Sequence, residues 1–189
     1  EKWGVKKSTG EIVLSKNFDR NQEINLVNPK KCFPFISQEA KVYIVPIYPE
    51  YHTDLFPDSI LRNESPIDFI ENKPHRNALS KVYISRSHFK ALNSGDIIVF
   101  YMTGGKYKGV VTTVGIVENV ITNIQNLDTF ITLCKKRSVF TDDELKKHWN
   151  YYPKLKPFVV KFIYSYTLRK RPNLEWLIEN EIIADYNSV

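Results

Sequence analysis

The stretch from His75 to Val120 decides the fold of this chain. Residues 75–87 read HRNALSKVYISRS, residues 94–105 read SGDIIVFYMTGG, and residues 110–120 read VVTTVGIVENV. The last two pieces are rich in β-branched and aromatic residues, which predicts two buried strands. Gly95-Asp96 is typical of the turn that leads into the first of them. The segment 101–105, Tyr-x-Thr-Gly-Gly, follows that strand and is predicted to form an edge that faces a ligand.

The composition is that of a single globular domain of ordinary size. The chain has 189 residues, of which 42% are hydrophobic and 25% charged, while aromatic residues are frequent at 13%. Its apolar runs are too short for a transmembrane helix, and its start, which lacks Met, does not resemble a secretory signal. We therefore expect no membrane association, a cytoplasmic location, and a chain that is processed or cut from a longer protein.

The two cysteines and four histidines give no sign of a metal or cofactor site. Cys32 and Cys134 are far apart and form no CxxC pair, and the histidines are scattered. Reduced thiols are the expectation for such a chain. No cofactor and no metal ligand are predicted.

The positive charge is concentrated in one part of the chain. The net charge is +6, yet residues 134–172 carry eleven basic and three acidic side chains, while the remaining residues are close to neutral. Aromatic residues are interleaved with this charge, and a basic groove with ring platforms is a common way to bind nucleic acid. The alternative is a solvated charged face.

The remaining pattern alternates strands, helices and loops. Strands are predicted at residues 11–16, 41–47, 129–135 and 158–164. Helices are predicted at residues 65–70, 77–85, 141–149 and 172–178, with a further turn at 87–92. Thr141 and Glu144 have the spacing of a capping box, and two prolines predict that the loop 48–58 is extended or turned. Together these elements predict an α+β fold over residues 40–189, a mostly antiparallel β-barrel with flanking helices. Residues 1–39 are predicted to be a linker or the tail of a preceding domain.

Three features in order resemble the EVE branch of the PUA-like superfamily. Arg76-Asn77 matches the Arg-Asn that opens a helix in that family, and Gly95-Asp96 matches the turn before a strand ending in Phe100-Tyr101 and then Thr103. Residues 114–120 match a following strand of the form Val-x-Gly-apolar-x-Glu-Val with one insertion. The resemblance implies a PUA-like barrel that binds RNA or DNA, reading a modified or flipped base as EVE domains do. Some domains of this kind are C-terminal partners of GNAT-type acetyltransferases, so any acetyltransferase activity would lie in a preceding domain.

Candidate nucleic-acid contacts come from five places in the chain. Arg76 and Asn77 are predicted to bind a phosphate or a base edge, with an ordinary helix cap as the alternative. Tyr101 and Thr103 are predicted to form a pocket floor. The remaining candidates are the hairpin-tip residues Lys106 and Tyr107, the ring-rich loop residues Tyr51 and His52, and the phosphate-contact cluster Arg169, Lys170 and Arg171. Each has a structural alternative, such as a solvated hairpin tip or a packed loop cover.

No catalytic residue is predicted. A Ser-His-Asp arrangement with a glycine elbow, paired metal ligands and a phosphate loop are all missing from the sequence. Cys134 and His148 form the one conceivable dyad, but a reactive thiol requires an electropositive surrounding. The predicted function is a nucleic-acid-binding module. The alternative is a protein-interaction or regulatory domain of a GNAT-type acetyltransferase or toxin-like protein.

Overall fold

A computed structural model describes residues 4–8, 11–15, 28–59 and 73–186, with side chains described from residue 28 onward except those of Lys106 and Tyr107. The strands are β1 Gly4–Ser8, β2 Glu11–Ser15, β3 Val42–Ile47, β4 Ser80–Ser85, β5 Ile97–Met102, β6 Val110–Ile121 and β7 Phe158–Thr167. The helices are α1 Pro29–Cys32, α2 Pro49–Leu55, α3 Pro74–Asn77, α4 Gly105–Lys108, α5 Leu127–Cys134, α6 Asp142–Tyr151 and α7 Leu174–Glu179, with a 3₁₀ turn at Pro57–Ser59. Strands β1 and β2 form an antiparallel pair, which confirms the strand predicted at 11–16.

Five strands form one mixed sheet in the order β3-β5-β6-β7-β4. Strand β3 runs parallel to β5, and the other three pairings are antiparallel. The α+β prediction is confirmed, but within the described ranges no backbone ladder joins β3 to β4, so the sheet has two free edges and is not closed into a barrel.

The faces of the sheet follow the two-residue periodicity of its strands. Ile98 and Phe100 of β5 and Phe162 of β7 point to an inner face, where Phe56, just after α2, packs against Phe100 with ring centroids 4.7 Å apart. Helix α7 covers the opposite face of β5, and α5 and α6 cover the outer side of β4 and β7. Each strand therefore contributes to two apolar clusters.

The predicted turn at Gly95-Asp96 is confirmed in detail. Gly95 has a φ of 91°, a conformation that favours glycine. The carboxylate of Asp96 accepts hydrogen bonds from the backbone N–H of Asn93 at 2.8 Å and of Lys41 at 3.2 Å. The turn thus fixes the entry of β5 and ties it to the start of β3.

Three predicted elements are wrong. Residues 77–85 are not a helix, because β4 pairs in register with β7 from Ser80 to Ser85. The loop 48–58 is largely helical, since Pro49 occupies the first position of α2, where its missing N–H costs nothing. Residues 129–134 are not a strand but belong to α5, which has Asn126 as its N-cap and Lys135 as its C-cap.

Other predictions have mixed outcomes. Thr141 and Glu144 form the predicted capping box at the start of α6, and β3, β5, β6, β7 and α7 lie where they were expected. The Gly104–Gly109 connection is a single helical turn, α4, and the segment 87–92 has no helical turn. The helix predicted at 65–70 lies outside the described residues.

Candidate functional site

The two free edges of the sheet face each other across a cleft. The hydroxyl of Tyr83 on β4 donates a hydrogen bond of 2.8 Å to the carbonyl oxygen of Pro46 on β3. Pro46 lacks an N–H and is an edge-strand residue, as its position in the sequence predicts. This side-chain bridge connects the edges where the backbone ladder does not, and cavities open on both sides of it.

The first cavity lies between the end of β3 and the middle of β4 and encloses about 430 Å³. Its walls are aliphatic and aromatic, and the ring-bearing side chains among them are Tyr48, Tyr51, Tyr83, Phe140 and His148. Tyr51 packs edge-on against Phe140 with a centroid distance of 4.8 Å, so these rings hold one another in place. A cavity of this size accommodates a small organic ligand.

The second cavity lies on the other side of the Tyr83 bridge and encloses about 500 Å³. Its floor is apolar, formed by Ile98, Phe158 and Val160, and its rim carries Arg86 and the half-exposed ring of Phe89. A surface depression next to the first cavity joins the two regions, because its lining includes Tyr48, His148 and Arg86 together with Lys147 and Tyr151.

Arg86 lines both the second cavity and the depression next to the first cavity. Its Nη1 donates to the carbonyl of Leu155 at 2.7 Å, and its guanidinium lies 5.7 Å from the ring centroid of Tyr151. Its Nη2 is buried and has no hydrogen-bond partner within the described part of the chain. Burial lowers the pKa of Arg86, which Tyr151 opposes. The pKa of His148 is lowered by its burial and by Arg86, which favours a neutral imidazole able both to donate and to accept.

A separate, smaller pocket of about 220 Å³ lies beside α3. Arg76, Asn77, Asp58 and Lys81 are among its lining residues. Lys81 is 2% exposed, and its ammonium donates to the carbonyl oxygens of His75 at 2.6 Å and Arg76 at 3.0 Å, both of which belong to α3. Burial lowers the pKa of Lys81 to about 8, with Asp58 opposing that shift.

Asp54 connects this pocket to α2. Its carboxylate lies 3.1 Å from Nε2 of His75, 3.3 Å from Nη1 of Arg76 and 3.4 Å from Nζ of Lys73. Burial alone would raise the pKa of Asp54, but His75 first and then Lys73 hold it below its ordinary value. Arg76 is thus oriented by a carboxylate.

The predicted residues meet at one end of the sheet, the end where β3, β5 and β7 finish. The register aligns Ile47 with Met102, Met102 with Val110, and Thr113 with Thr167. The segments after these strand ends therefore lie at the same end. They contain Tyr51, His52, Thr103, Lys106, Tyr107, Arg169, Lys170 and Arg171, while Tyr101 is the penultimate residue of β5. Arg76 and Asn77 come just before β4, whose start lies at this end as well because Ser80 pairs with Ile163 of β7.

Within this end, the candidates occupy different surroundings. Tyr51 and Thr103 line the first cavity, and Arg76 and Asn77 line the smaller pocket. Arg169 and Lys170 are exposed after β7, and Arg171 is half-buried. The side chains of Lys106 and Tyr107 lie outside those that the structure describes.

His52 and Tyr101 lie in the interior rather than in a cavity wall. His52 is fully buried, and its Nε2 is 2.7 Å from the hydroxyl of Thr112. Burial, with a contribution from Arg171, lowers the pKa of His52 to about 4. Tyr101 is 4% exposed and packs with Val111 and with α7, and burial raises the pKa of its hydroxyl.

The sequence reasoning missed several residues of the cleft, among them Tyr83, Arg86, Lys147 and His148. Tyr83 falls in the stretch 77–85 that is predicted to be a helix, and Arg86 follows that stretch directly. The β-branched and aromatic run Val82-Tyr83-Ile84 was the available signal for a strand. Lys147 and His148 were assigned to α6, but nothing local indicates that this helix passes the β3–β4 cleft.

The two cysteines lack the surroundings that a nucleophilic thiol requires. Cys32 and Cys134 are both free and buried, and burial raises the pKa of Cys134 to about 12, against the effect of Lys161. Such a thiol is not a nucleophile at neutral pH. Among residues 28–59 and 73–186, no three His, Cys, Asp or Glu side chains form a group that could hold a metal ion. None of the described helices has the length and apolarity needed to span a bilayer.

Comparison with known proteins places the fold. No family model matches the chain, and no curated protein matches it. A crystal structure of a serine-to-alanine mutant of ZmASCH from Zymomonas mobilis is similar, with a TM-score of 0.51 and 13% identity over 80% of this chain and 85% of that chain. The structure of ASCH from the same organism has a TM-score of 0.50 and 12% identity, covering 79% and 83%.

The likeness to these ASCH structures confirms the predicted PUA-like α+β fold. At this level of identity the likeness shows the fold alone. The EVE type and the acetyltransferase partner stay predictions.

Proposed function

We propose that this chain is a nucleic-acid-binding module that holds an unstacked base in the β3–β4 cleft. One observation carries the proposal: a ring-lined cavity opens between two free strand edges, with Arg86 and Lys147 beside its mouth. Among the described lining residues of the cleft, none is acidic. An apolar, aromatic cavity bordered by cations suits a ligand with a flat ring and a phosphate.

The rings of the first cavity supply affinity for a base. Stacking on an aromatic side chain is worth about 1–3 kcal/mol per base and tolerates any sequence. Tyr48 is 64% exposed, so much of its ring surface is accessible to a base. Tyr51 and Phe140 contact each other edge-on and form the wall behind it.

Hydrogen bonds inside the cavity would supply selectivity. The hydroxyl of Thr103 and the neutral imidazole of His148 lie in the cavity wall and offer a donor and an acceptor to a base edge. Reading of a modified or flipped base, which the EVE resemblance implies, would depend on these groups. RNA and DNA are both compatible with the proposal.

Phosphate contacts would come from the cations around the cleft and at the adjoining end of the sheet. Arg86 and Lys147 border the cleft itself. Arg76 with Asn77, and Arg169 with Lys170 and Arg171, extend the basic surface at the sheet end where β3 and β7 finish. Such contacts position the strand without reading its sequence.

The experiment compares two neighbouring lysines of α6. Fluorescence anisotropy would measure the binding of labelled single-stranded RNA and DNA at several salt concentrations to wild type, Lys147→Ala and Lys146→Ala. Lys147 lines the cleft, whereas Lys146 lies 3.0 Å from Asp143 in an ion pair on the exposed side of the helix. We expect Lys147→Ala to weaken binding and to reduce the salt slope by about 0.7, the value for one phosphate contact on a single strand. Lys146→Ala should leave the slope near that of wild type.

The alternative function makes the opposite prediction. A domain that docks to an acetyltransferase or toxin-like protein would not bind either nucleic acid at low salt. Equal effects of the two lysine variants would instead show binding through general charge and not through the cleft.

A further inference from the structure

The side chain of Tyr83 divides the β3–β4 cleft into two compartments. Both the 430 Å³ cavity and the 500 Å³ cavity are lined by Tyr83 and Pro46, the partners of the 2.8 Å bridge. Tyr83 is held from behind by Phe100, against which it packs edge-on at 5.8 Å. Both the hydrogen bond to Pro46 and the contact with Phe100 therefore hold the Tyr83 side chain between the two cavities.

The two compartments have different chemistry. The first offers Thr103 and His148 as hydrogen-bonding groups. In the second, the hydroxyls of Ser85 and Ser87 each accept one backbone N–H at 3.1 Å, and most of the other lining side chains are aliphatic or aromatic, among them the ring of Phe89 and the apolar floor. One compartment is suited to recognition of a base edge, and the other to stacking.

We propose that the cleft holds two neighbouring nucleotides, one on each side of Tyr83, and that the ligand class is single-stranded nucleic acid with two splayed bases. This inference rests on the proposed function. Neighbouring bases in a stacked strand are roughly 3.4 Å apart, which leaves no room for a ring between them. Two bases separated by Tyr83 must therefore be unstacked, and a base pair inside a duplex does not meet this requirement.

Arg86 lies where the link between the two nucleotides would pass. It lines the second compartment and also the depression that adjoins the first. Its guanidinium is fixed by Leu155 and lies over Tyr151. A phosphate that joins one base on each side of Tyr83 would thus meet a preoriented cation.

The test uses exposed rings whose removal does not disturb the core. Tyr48 borders the first compartment, Phe89 borders the second and is 51% exposed, and Trp176 on α7, 46% exposed, is the control on another face. Labelled single-stranded RNA and DNA tetranucleotides would be measured intact and with one abasic position at either of the two central sites. The corresponding duplexes would be measured alongside.

We expect Tyr48→Ala and Phe89→Ala each to weaken binding by roughly 5- to 150-fold, the range for loss of one stacked base. Trp176→Ala should bind as wild type does. Tyr48→Ala should no longer weaken binding when the ligand lacks the base that stacks on Tyr48, but it should still weaken binding when the other central base is missing. Phe89→Ala should show the opposite dependence on the abasic position. Duplexes should bind at least tenfold more weakly than single strands.

Two results would overturn the inference while leaving the proposed function intact. In the first, Phe89→Ala resembles Trp176→Ala although Tyr48→Ala weakens binding, which indicates a single base. In the second, both variants lose their effect at the same abasic position. Absence of binding by the wild-type protein to any of these ligands would overturn the proposed function itself.

Discussion

Removal of the Tyr83 hydroxyl tests the bridge between the two free edges of the sheet. Tyr83→Phe keeps the ring against Phe100 and removes the 2.8 Å bond to the carbonyl of Pro46. A typical hydrogen bond contributes about 0.5–1.5 kcal/mol to stability. Because Pro46 is exposed, water can replace part of the lost bond, and we expect a loss of about 1 kcal/mol. For a chain of this length that corresponds to a decrease in Tm of about 2–4 °C.

The assay is urea unfolding followed by circular dichroism, together with a thermal melt. Tyr43→Phe is the matched control, since Tyr43 also belongs to an edge of the cleft but its hydroxyl is 3.5 Å from the carbonyl of Ala91, at the limit of a hydrogen bond. We expect the control to lose less than about 0.5 kcal/mol. Equal losses in the two variants would refute the argument that the bridge ties β3 to β4.

Three further predictions concern pH, packing and charge. Burial lowers the pKa of His52 to about 4, so the unfolded chain binds a proton near pH 6.5 that the folded chain does not. Stability contributed by neutral His52 should thus fall by about 2 kcal/mol between pH 8 and pH 5, and urea unfolding of His52→Gln should show a shallower pH dependence; an unchanged slope would contradict the shift. In Gly115→Ala the new Cβ would lie 2.6 Å from the ring of Phe162, which should cost about 1–3 kcal/mol in the same unfolding assay, and a change below about 0.5 kcal/mol would show that the ring moves freely. The double variant Arg169→Ala with Lys170→Ala should weaken nucleic-acid binding alike for all sequences and reduce the salt slope on single strands by up to about 1.4, so a slope equal to that of wild type would remove these residues from the interface.

The strands that the sequence predicted are those with an unbroken apolar or β-branched run. Strands β3, β5, β6 and β7 form the centre and one edge of the sheet, and their composition alone favours that position. The capping box at Thr141 was equally local, because both of its hydrogen bonds join residues three apart. Local chemistry decides these elements, and so a single sequence suffices.

The elements that were missed depend on contacts between distant residues. Residues 80–85 become a strand because β7 offers a pairing edge, from Ser80 opposite Ile163 to Ser85 opposite Phe158. Helix α2 forms although prolines flank it, since His52 and Leu55 gain burial beneath the inner face. Short apolar runs such as 129–135 suit either a helix or a strand, and only the N-cap at Asn126 distinguishes them.

The candidate site was predictable in its location but not in its walls. Polar and aromatic residues after the ends of β3 and β5 indicated Tyr51 and Thr103, which do line the first cavity. The opposite wall comes from β4 and α6, whose approach to β3 is a consequence of the whole sheet order. Tyr83 and His148 therefore carry no local signal of their role.

The most direct test of the account is an NMR titration of the isotopically labelled protein with a single-stranded tetranucleotide. The account predicts backbone amide shift changes concentrated at residues 43–48, 83–87, 103 and 147–151, the segments that surround the cleft. Helix α7, Leu174–Glu179, should show almost none. Changes confined to α7, or an absence of changes at a ligand excess in low salt, would contradict the proposal that the β3–β4 cleft binds nucleic acid.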